Sequence, residues 1–132
     1  MTDYIWPEPD GILAYLRDLM AGTGATLQVA SHDDLIAGFD RARTAHQYQP
    51  EAPPHHLAAL LFDGIATRHA LVDGNKRLAW LGAVVFLDLN GVYLDAPEQA
   101  SFDIGMAVIA RTQTTDDLAA FFQTYGLTEP GA

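Results

Sequence analysis

Hydrophobic residues recur at the spacing of amphipathic helices along most of the chain, with turn residues between the segments. The first predicted helix runs from Asp10 to Met20, and a second begins at Ser31 to Asp34, which reads as a capping box. The stretch 46–54 contains three prolines and is predicted to be a loop. A third helix should follow this loop and end near Arg68 or His69.

The most hydrophobic segment predicts the central element of the fold. Residues Asn75 to Leu89 are apolar nearly all round, which is typical of a helix buried in the centre of a domain. Asn90 and Gly91 would end this helix, because glycine readily adopts the left-handed conformation of a helix cap.

Two further helices are predicted after a short extended link, Val92 to Leu94. Asp95 is suited to cap the first, which would run to about Ala110, and Thr114 to cap the second, which would end at Gly126. The side chains expected to face the core are Phe102, Met106 and Ile109 in the first helix and Leu118, Phe121, Phe122 and Tyr125 in the second.

Composition limits the class of protein. The chain has 132 residues, 49% of them hydrophobic and 18% charged, which fits one folded all-α domain over residues 1–132 with its own core. It has no cysteine, so disulfides, thiolate zinc sites and a cysteine nucleophile are excluded. No leader-like N-terminus and no apolar run of membrane-spanning length occurs, and the expected location is the cytoplasm.

The charge is strongly acidic but unevenly distributed. A net charge of -10 repels nucleic acids and anionic membranes, so we expect neither as a direct partner. Three of the seven basic residues, Arg68, Lys76 and Arg77, nevertheless fall within ten positions. A small positive site on an acidic protein is a candidate for binding an anion.

The predicted turn before the central helix has the features of a phosphate-binding site. The first turn of a helix has unpaired N–H groups and the positive end of the helix dipole. Gly74 would allow a ligand close to the backbone, and Asn75 is a candidate N-cap whose amide could donate to a phosphate. Lys76 and Arg77 oppose the dipole at a cost of about 0.3–1 kcal/mol each unless an anion binds there.

Two more side chains of this segment suggest a reaction. Asp73 could hold Mg²⁺, and His69 could take a proton from a hydroxyl at neutral pH. Each residue alone has a simpler structural explanation: His69 could be a helix C-cap, and Asp73 and Gly74 an ordinary turn. Together they favour transfer of a phosphate-containing group.

The segment His69 to Arg77 reads His-x-x-x-Asp-Gly-Asn-Lys-Arg and resembles the motif of the Doc (death-on-curing) toxins, a branch of the Fic/Fido superfamily. Lys76 is the discriminating residue, since most Fic proteins have glycine there. Leu71 stands where the motif usually has phenylalanine, and we expect it to pack the loop against the core. The resemblance covers most of the chain and implies a single Doc-like domain, a compact bundle of about six helices around a buried central helix.

The resemblance also implies an activity. His69 matches the catalytic base, Asp73 the magnesium ligand, and Asn75, Lys76 and Arg77 the phosphate-binding positions, with Arg77 also stabilising the transition state. The cofactors would be ATP and Mg²⁺. The implied function is that of a type II toxin, a protein kinase acting on a Ser or Thr hydroxyl of a translation factor, elongation factor Tu being the usual target of the family. Fic-type AMP transfer is the alternative chemistry.

Regulation would depend on a second protein. None of the four glutamates lies four residues after a serine or threonine, as the inhibitory helix of many Fic proteins requires, so a separate Phd-like antitoxin is expected. Two other functions remain open. One is a non-catalytic Doc-fold binding module; the other, disfavoured because no His-Glu-x-x-His pair occurs, is a metal hydrolase using His55, His56, His69 and Asp73.

Overall fold

A computed structural model describes residues 3–128, which form six helices and two short strands. The helices are α1 Pro9–Leu19, α2 His32–Tyr48, α3 Pro54–Arg68, α4 Asn75–Leu89, α5 Glu98–Ile109 and α6 Thr115–Tyr125, and the strands are β1 Val92–Leu94 and β2 Gly126–Thr128. The predicted all-α fold is confirmed. Among the described helices, none combines the length and apolarity needed to cross a bilayer.

The core is built around α4 and α3 together. Helix α4 has the predicted bounds and buries Leu78, Ala79, Gly82, Ala83, Phe86 and Leu87. Helix α3 runs beside it, packs against α2 and α6 as well, and is buried over most of its length. The end of α3 and the start of α4 are joined by the segment 69–74, so the candidate motif lies where the two most buried helices meet.

An ion-pair network around one buried carboxylate fixes α3. The Asp63 side chain is only 3% exposed and pairs through one oxygen with Arg41 of α2 and through the other with Arg111 after α5, at 2.7 Å. The helices α2 and α3 approach closely here, since a Cβ at Gly64 would lie 2.6 Å from the carbonyl oxygen of Gly38. Two charged partners on one carboxylate therefore tie α3 to α2 and to the segment between α5 and α6.

Two of the predicted boundaries differ. Helix α2 continues to Tyr48, so only 49–53 of the predicted loop is non-helical; it ends there because Gln49 precedes Pro50, and the residue before a proline disfavours the helical conformation. Helix α5 begins after Pro97, which takes the N-cap position, so Asp95 lies two residues too early to cap it. The Asp95 N–H donates instead to a carbonyl at the end of α6.

The predicted inward face of α5 was wrong for Phe102 but not for Ile109, which is half-buried and packs against the core. Phe102 is 63% exposed, and the buried residues are Ile104, Gly105 and Val108. Gly105 lies beside the ring of Phe62, and a Cβ there would be in ordinary contact with that ring, at 3.5 Å. The most buried side of α5 thus contains small and medium-sized residues, whereas the sequence pattern favoured the large side chains.

The caps of α2 and α6 differ in completeness. At α6, Thr114 and Asp117 form the full capping box. At α2, Ser31 accepts from the Asp34 N–H at 3.2 Å, but the reciprocal bond is not formed because the Ser31 N–H donates to the Ala70 carbonyl. The start of α2 is thus hydrogen-bonded to the loop that follows α3.

Candidate active site

The motif loop, residues 69–74, is held from one side by a segment before α2. His69 ends α3 in the left-handed conformation, with φ 54°, and is exposed. Two N–H groups of the segment 28–31 donate to the Ala70 carbonyl at 2.8 and 3.1 Å, and the Val72 N–H donates back to a carbonyl of that segment at 2.9 Å. These bonds fix the backbone on both sides of Leu71 and leave the His69 imidazole facing solvent.

The Asn75 side chain holds the loop from the other side. Its Oδ1 accepts from the Leu71 N–H at 2.9 Å, and its Nδ2 donates to the Leu71 carbonyl at 2.8 Å. The Leu71 side chain is buried, as expected for the position where the motif usually has phenylalanine. Asn75 is the first residue of α4, and the N-cap is Gly74, not Asn75. The helix cap therefore lies one residue earlier than predicted, and the amide of Asn75 contacts the loop instead.

Gly74 is required by the backbone and by a neighbouring side chain. Its φ of 98° is left-handed, and a Cβ there would lie 2.5 Å from Cδ2 of the buried Leu27. The Gly74 N–H donates to Oδ1 of Asp73 at 2.9 Å. Asp73 is exposed, and its other oxygen makes no hydrogen bond within the described residues. One carboxylate oxygen thus stabilises the turn and the other faces outward.

The start of α4 has the features expected of an anion-binding site. The first intrahelical bond runs from the Leu78 N–H to the Gly74 carbonyl, so the N–H groups of the first three helical residues have no partner within the described chain. Lys76 and Arg77 are exposed in this turn, which contains no acidic residue. Arg77 reaches towards α1, with Nη1 3.5 Å from the sulfur of Met20.

The Asp73 carboxylate and the unpaired N–H groups of α4 suit Mg²⁺ bound together with a phosphate group better than a metal ion held by protein side chains alone. Mg²⁺ commonly takes one or two carboxylates and completes its shell with water and phosphate oxygens. Asp73 supplies one such carboxylate beside the unpaired N–H groups of α4. Within residues 3–128, no three His, Asp or Glu side chains converge as a metal site. His55 and His56 begin α3 and His69 ends it, about 20 Å away at 1.5 Å per residue, which argues against the metal-hydrolase alternative.

Sequence reasoning missed the residues that support the loop. Leu27 is buried in the left-handed conformation with φ 51°, and its carbonyl accepts from Nη2 of Arg17 at 3.1 Å. This places the end of α1 and the segment 28–31 against the motif. These residues are too far from the motif in the chain for a local sequence pattern to connect them with it. The left-handed conformation of Leu27 is unusual for leucine, but residue spacing does not reveal it.

Known proteins are similar to this chain over a stretch that contains the motif loop. Residues 2–87 match the model of the Fic/DOC family, a stretch that contains the whole motif loop and nearly all of α4. The chain is 39% identical over 105 residues to the protein named Toxin Doc from Mycolicibacterium smegmatis, covering 74% of this chain and 77% of that protein. The match extends over more than half of the chain, and the resemblance seen in the motif is confirmed: this protein belongs to the Fic/DOC family.

Proposed function

We propose that this chain is the toxin of a type II toxin–antitoxin system and acts as an ATP-dependent protein kinase on a Ser or Thr hydroxyl. One observation carries the proposal: an exposed histidine and an unpaired, electropositive helix start lie at the two ends of one rigid six-residue loop. The similarity to Toxin Doc and the transferase chemistry typical of the family support the same conclusion.

Each residue of the loop has a role in this proposal. His69 would take the proton from the substrate hydroxyl, whose oxygen then bonds to the γ-phosphorus as the bond to the ADP oxygen breaks. The unpaired backbone N–H groups at the start of α4, together with the Lys76 and Arg77 side chains, would bind the phosphates, and Arg77 would stabilise the charge of the transition state. Asp73 would hold Mg²⁺, which neutralises phosphate charge when it is bound.

Lys76 favours phosphate transfer over AMP transfer. Glycine at this position leaves room for a phosphate chain along the start of the helix, whereas lysine fills that room with a side chain and a charge. We therefore expect a different phosphate of ATP to lie beside His69 than in Fic proteins that have the glycine. AMP transfer is the second candidate because it would use the same base and the same anion site.

The test distinguishes the two reactions by the labelled atom. The purified chain is incubated with γ- or α-labelled ATP and Mg²⁺ in a cell extract, and the labelled proteins are identified by mass spectrometry. Label transferred from the γ position alone supports the kinase, and label from the α position contradicts it. The His69→Ala chain is the control and should transfer neither label.

The proposed target is a translation elongation factor, elongation factor Tu, whose modification would inhibit translation in the cytoplasm. The proposed partner is a Phd-like antitoxin, because the inhibitory Ser/Thr-x-x-x-Glu pattern does not occur in this sequence. Induction of the chain alone should slow growth, and co-expression of the antitoxin should restore it. Growth inhibition that survives His69→Ala would show a non-catalytic binding module instead.

A further inference from the structure

Two asparagines at the two ends of α4 hold extended backbone in the same way. Asn75 exchanges two hydrogen bonds with the backbone N–H and carbonyl of Leu71, at 2.9 and 2.8 Å. Asn90 exchanges the same two bonds with the backbone of Ile5, both at 2.8 Å. The second clamp shows that this arrangement fixes a strand-like segment to the helix without any ligand.

We propose that Asn75 is a positioning residue: its side chain fixes the motif loop through Leu71, and it does not contact the nucleotide phosphates. The phosphates would then be bound by the backbone N–H groups at the start of α4 and by Lys76 and Arg77. This inference rests on the proposed nucleotide binding at the loop, and it changes how one residue of the motif contributes to it.

The bonding around Leu71 carries the inference. The neighbouring groups, the Ala70 carbonyl and the Val72 N–H, are held by the segment 28–31 on the opposite side of the loop. The N–H and carbonyl of Leu71 point the other way, as alternate residues of extended chain do, and Asn75 satisfies both. If the Asn75 side chain turned to a phosphate, the N–H and the carbonyl of Leu71 would lose their partners. Each buried backbone group without a partner costs about 1–3 kcal/mol, so this movement is unfavourable.

The position of Leu71 explains why this clamp matters for the reaction. Leu71 lies two residues after His69 and two residues before Asp73, so a shift of its backbone moves both groups relative to α4. A displacement of about 1 Å of a reacting group can lower the rate about 100-fold. Losing the clamp should therefore lower the rate of the bound complex more than it lowers the affinity for ATP.

The experiment compares Asn75→Ala with the matched control Asn90→Ala. We measure the Kd for ATP with Mg²⁺ by calorimetry, kcat for transfer of the labelled group, and amide hydrogen exchange by NMR. For Asn75→Ala we expect kcat to fall about 100-fold and Kd to change less than about threefold. The Leu71 amide should exchange faster while the Val72 amide is unchanged. For Asn90→Ala, the Ile5 amide should exchange faster and kcat should stay within about twofold of the wild type.

A phosphate contact predicts a different result. The Kd for ATP would then rise at least about tenfold, and Leu71 exchange would be unaffected by the substitution. If Asn75→Ala does not fold, the wild-type chain still tests the proposal. Its Leu71 amide should stay protected from hydrogen exchange when ATP and Mg²⁺ bind, and loss of this protection would overturn the proposal. Failure of the wild type to bind ATP would contradict the proposed function itself, whereas Leu71 exchange in Asn75→Ala tests the clamp without nucleotide.

Discussion

The two ends of α4 use the same hydrogen-bonding device for different purposes. At its end, Asn90 holds the segment around Ile5, and the flanking Trp6 packs on Phe86 with ring centroids 4.8 Å apart. At its start, Asn75 holds the backbone of Leu71 equally well, but the polar residues of the loop remain exposed. The same backbone hydrogen bonds therefore belong to a candidate site only at the start of α4, where the neighbouring polar side chains are exposed.

Charge separates the two ends less clearly than the sequence suggests. Lys76 and Arg77 oppose the dipole at the start of α4, but the exposed Asp88 also opposes it in the last turn. An unfavourable charge at a helix end is thus tolerated when solvated, and it does not by itself indicate a ligand. What distinguishes the start is the combination of unpaired N–H groups, a rigid loop and an exposed histidine.

The largest expected effect is on catalysis at the start of α4. His69→Ala should lower the rate of phosphate transfer about 10²–10⁴-fold, because a general base contributes about that much. The melting temperature should be unchanged, since the His69 side chain is exposed and makes no hydrogen bond within the described residues. Transfer kinetics and thermal melts of the same preparation check both parts. A variant that keeps its activity would remove the functional contrast between the two ends.

The next effect is on stability at the other end. Trp6→Ala should lower the free energy of unfolding by about 2–3 kcal/mol, less than for a fully buried tryptophan because Trp6 is half-buried. Its ring contacts Tyr4, His46 and Phe86, and Arg43 lies over it at 5.6 Å. Urea unfolding measures the loss, and the Kd for ATP should not change. A weaker affinity in folded Trp6→Ala would mean that the two ends are coupled through α4.

The parts of the fold that local patterns determine were predictable from the sequence. The bounds of α4 follow from its uninterrupted apolar residues, and the start of α6 follows from the cap at Thr114. The His69 to Arg77 motif was found in the same way, because its residues are neighbours in the chain. Local spacing is sufficient where the interacting groups lie within a few residues of one another.

The parts that depend on distant contacts were not predictable. Asp63 pairs with residues 22 and 48 positions away, and the segment 28–31 contacts the motif loop about 40 positions later in the chain. The side of α5 that is buried, with Phe102 exposed, depends on how this helix packs against α3 and α6. The role of Asn75 also required the structure, because the sequence does not show which backbone groups are otherwise unsatisfied.

A smaller effect should show anion binding at the start of α4 directly. Pyrophosphate at about ten times its Kd should stabilise the wild type by about 1.4 kcal/mol, as expected for a ligand that binds only the folded state. Asn90→Ala should respond like the wild type, and the double variant Lys76→Ala, Arg77→Ala should respond much less. The shift of the melting temperature with pyrophosphate concentration measures this. Equal stabilisation of the double variant would show that the anion binds elsewhere.

The smallest effect concerns acid sensitivity, which we expect at the start of α3. Burial lowers the pKa of His55, and the neighbouring His56 lowers that pKa further. The unfolded chain then binds more protons than the folded one, so this contribution to stability is complete above about pH 6.5 and is lost as the pH falls through that value towards the lowered pKa. His55→Gln should reduce the fall of the melting temperature with pH below about pH 6.5 and leave the melting temperature unchanged above about pH 7.5. His56→Gln should have the same effect to a smaller extent, because burial is the larger cause of the lowered pKa. Parallel profiles for His55→Gln and the wild type would place the acid sensitivity elsewhere, and the two ends of α4 would be the next regions to test.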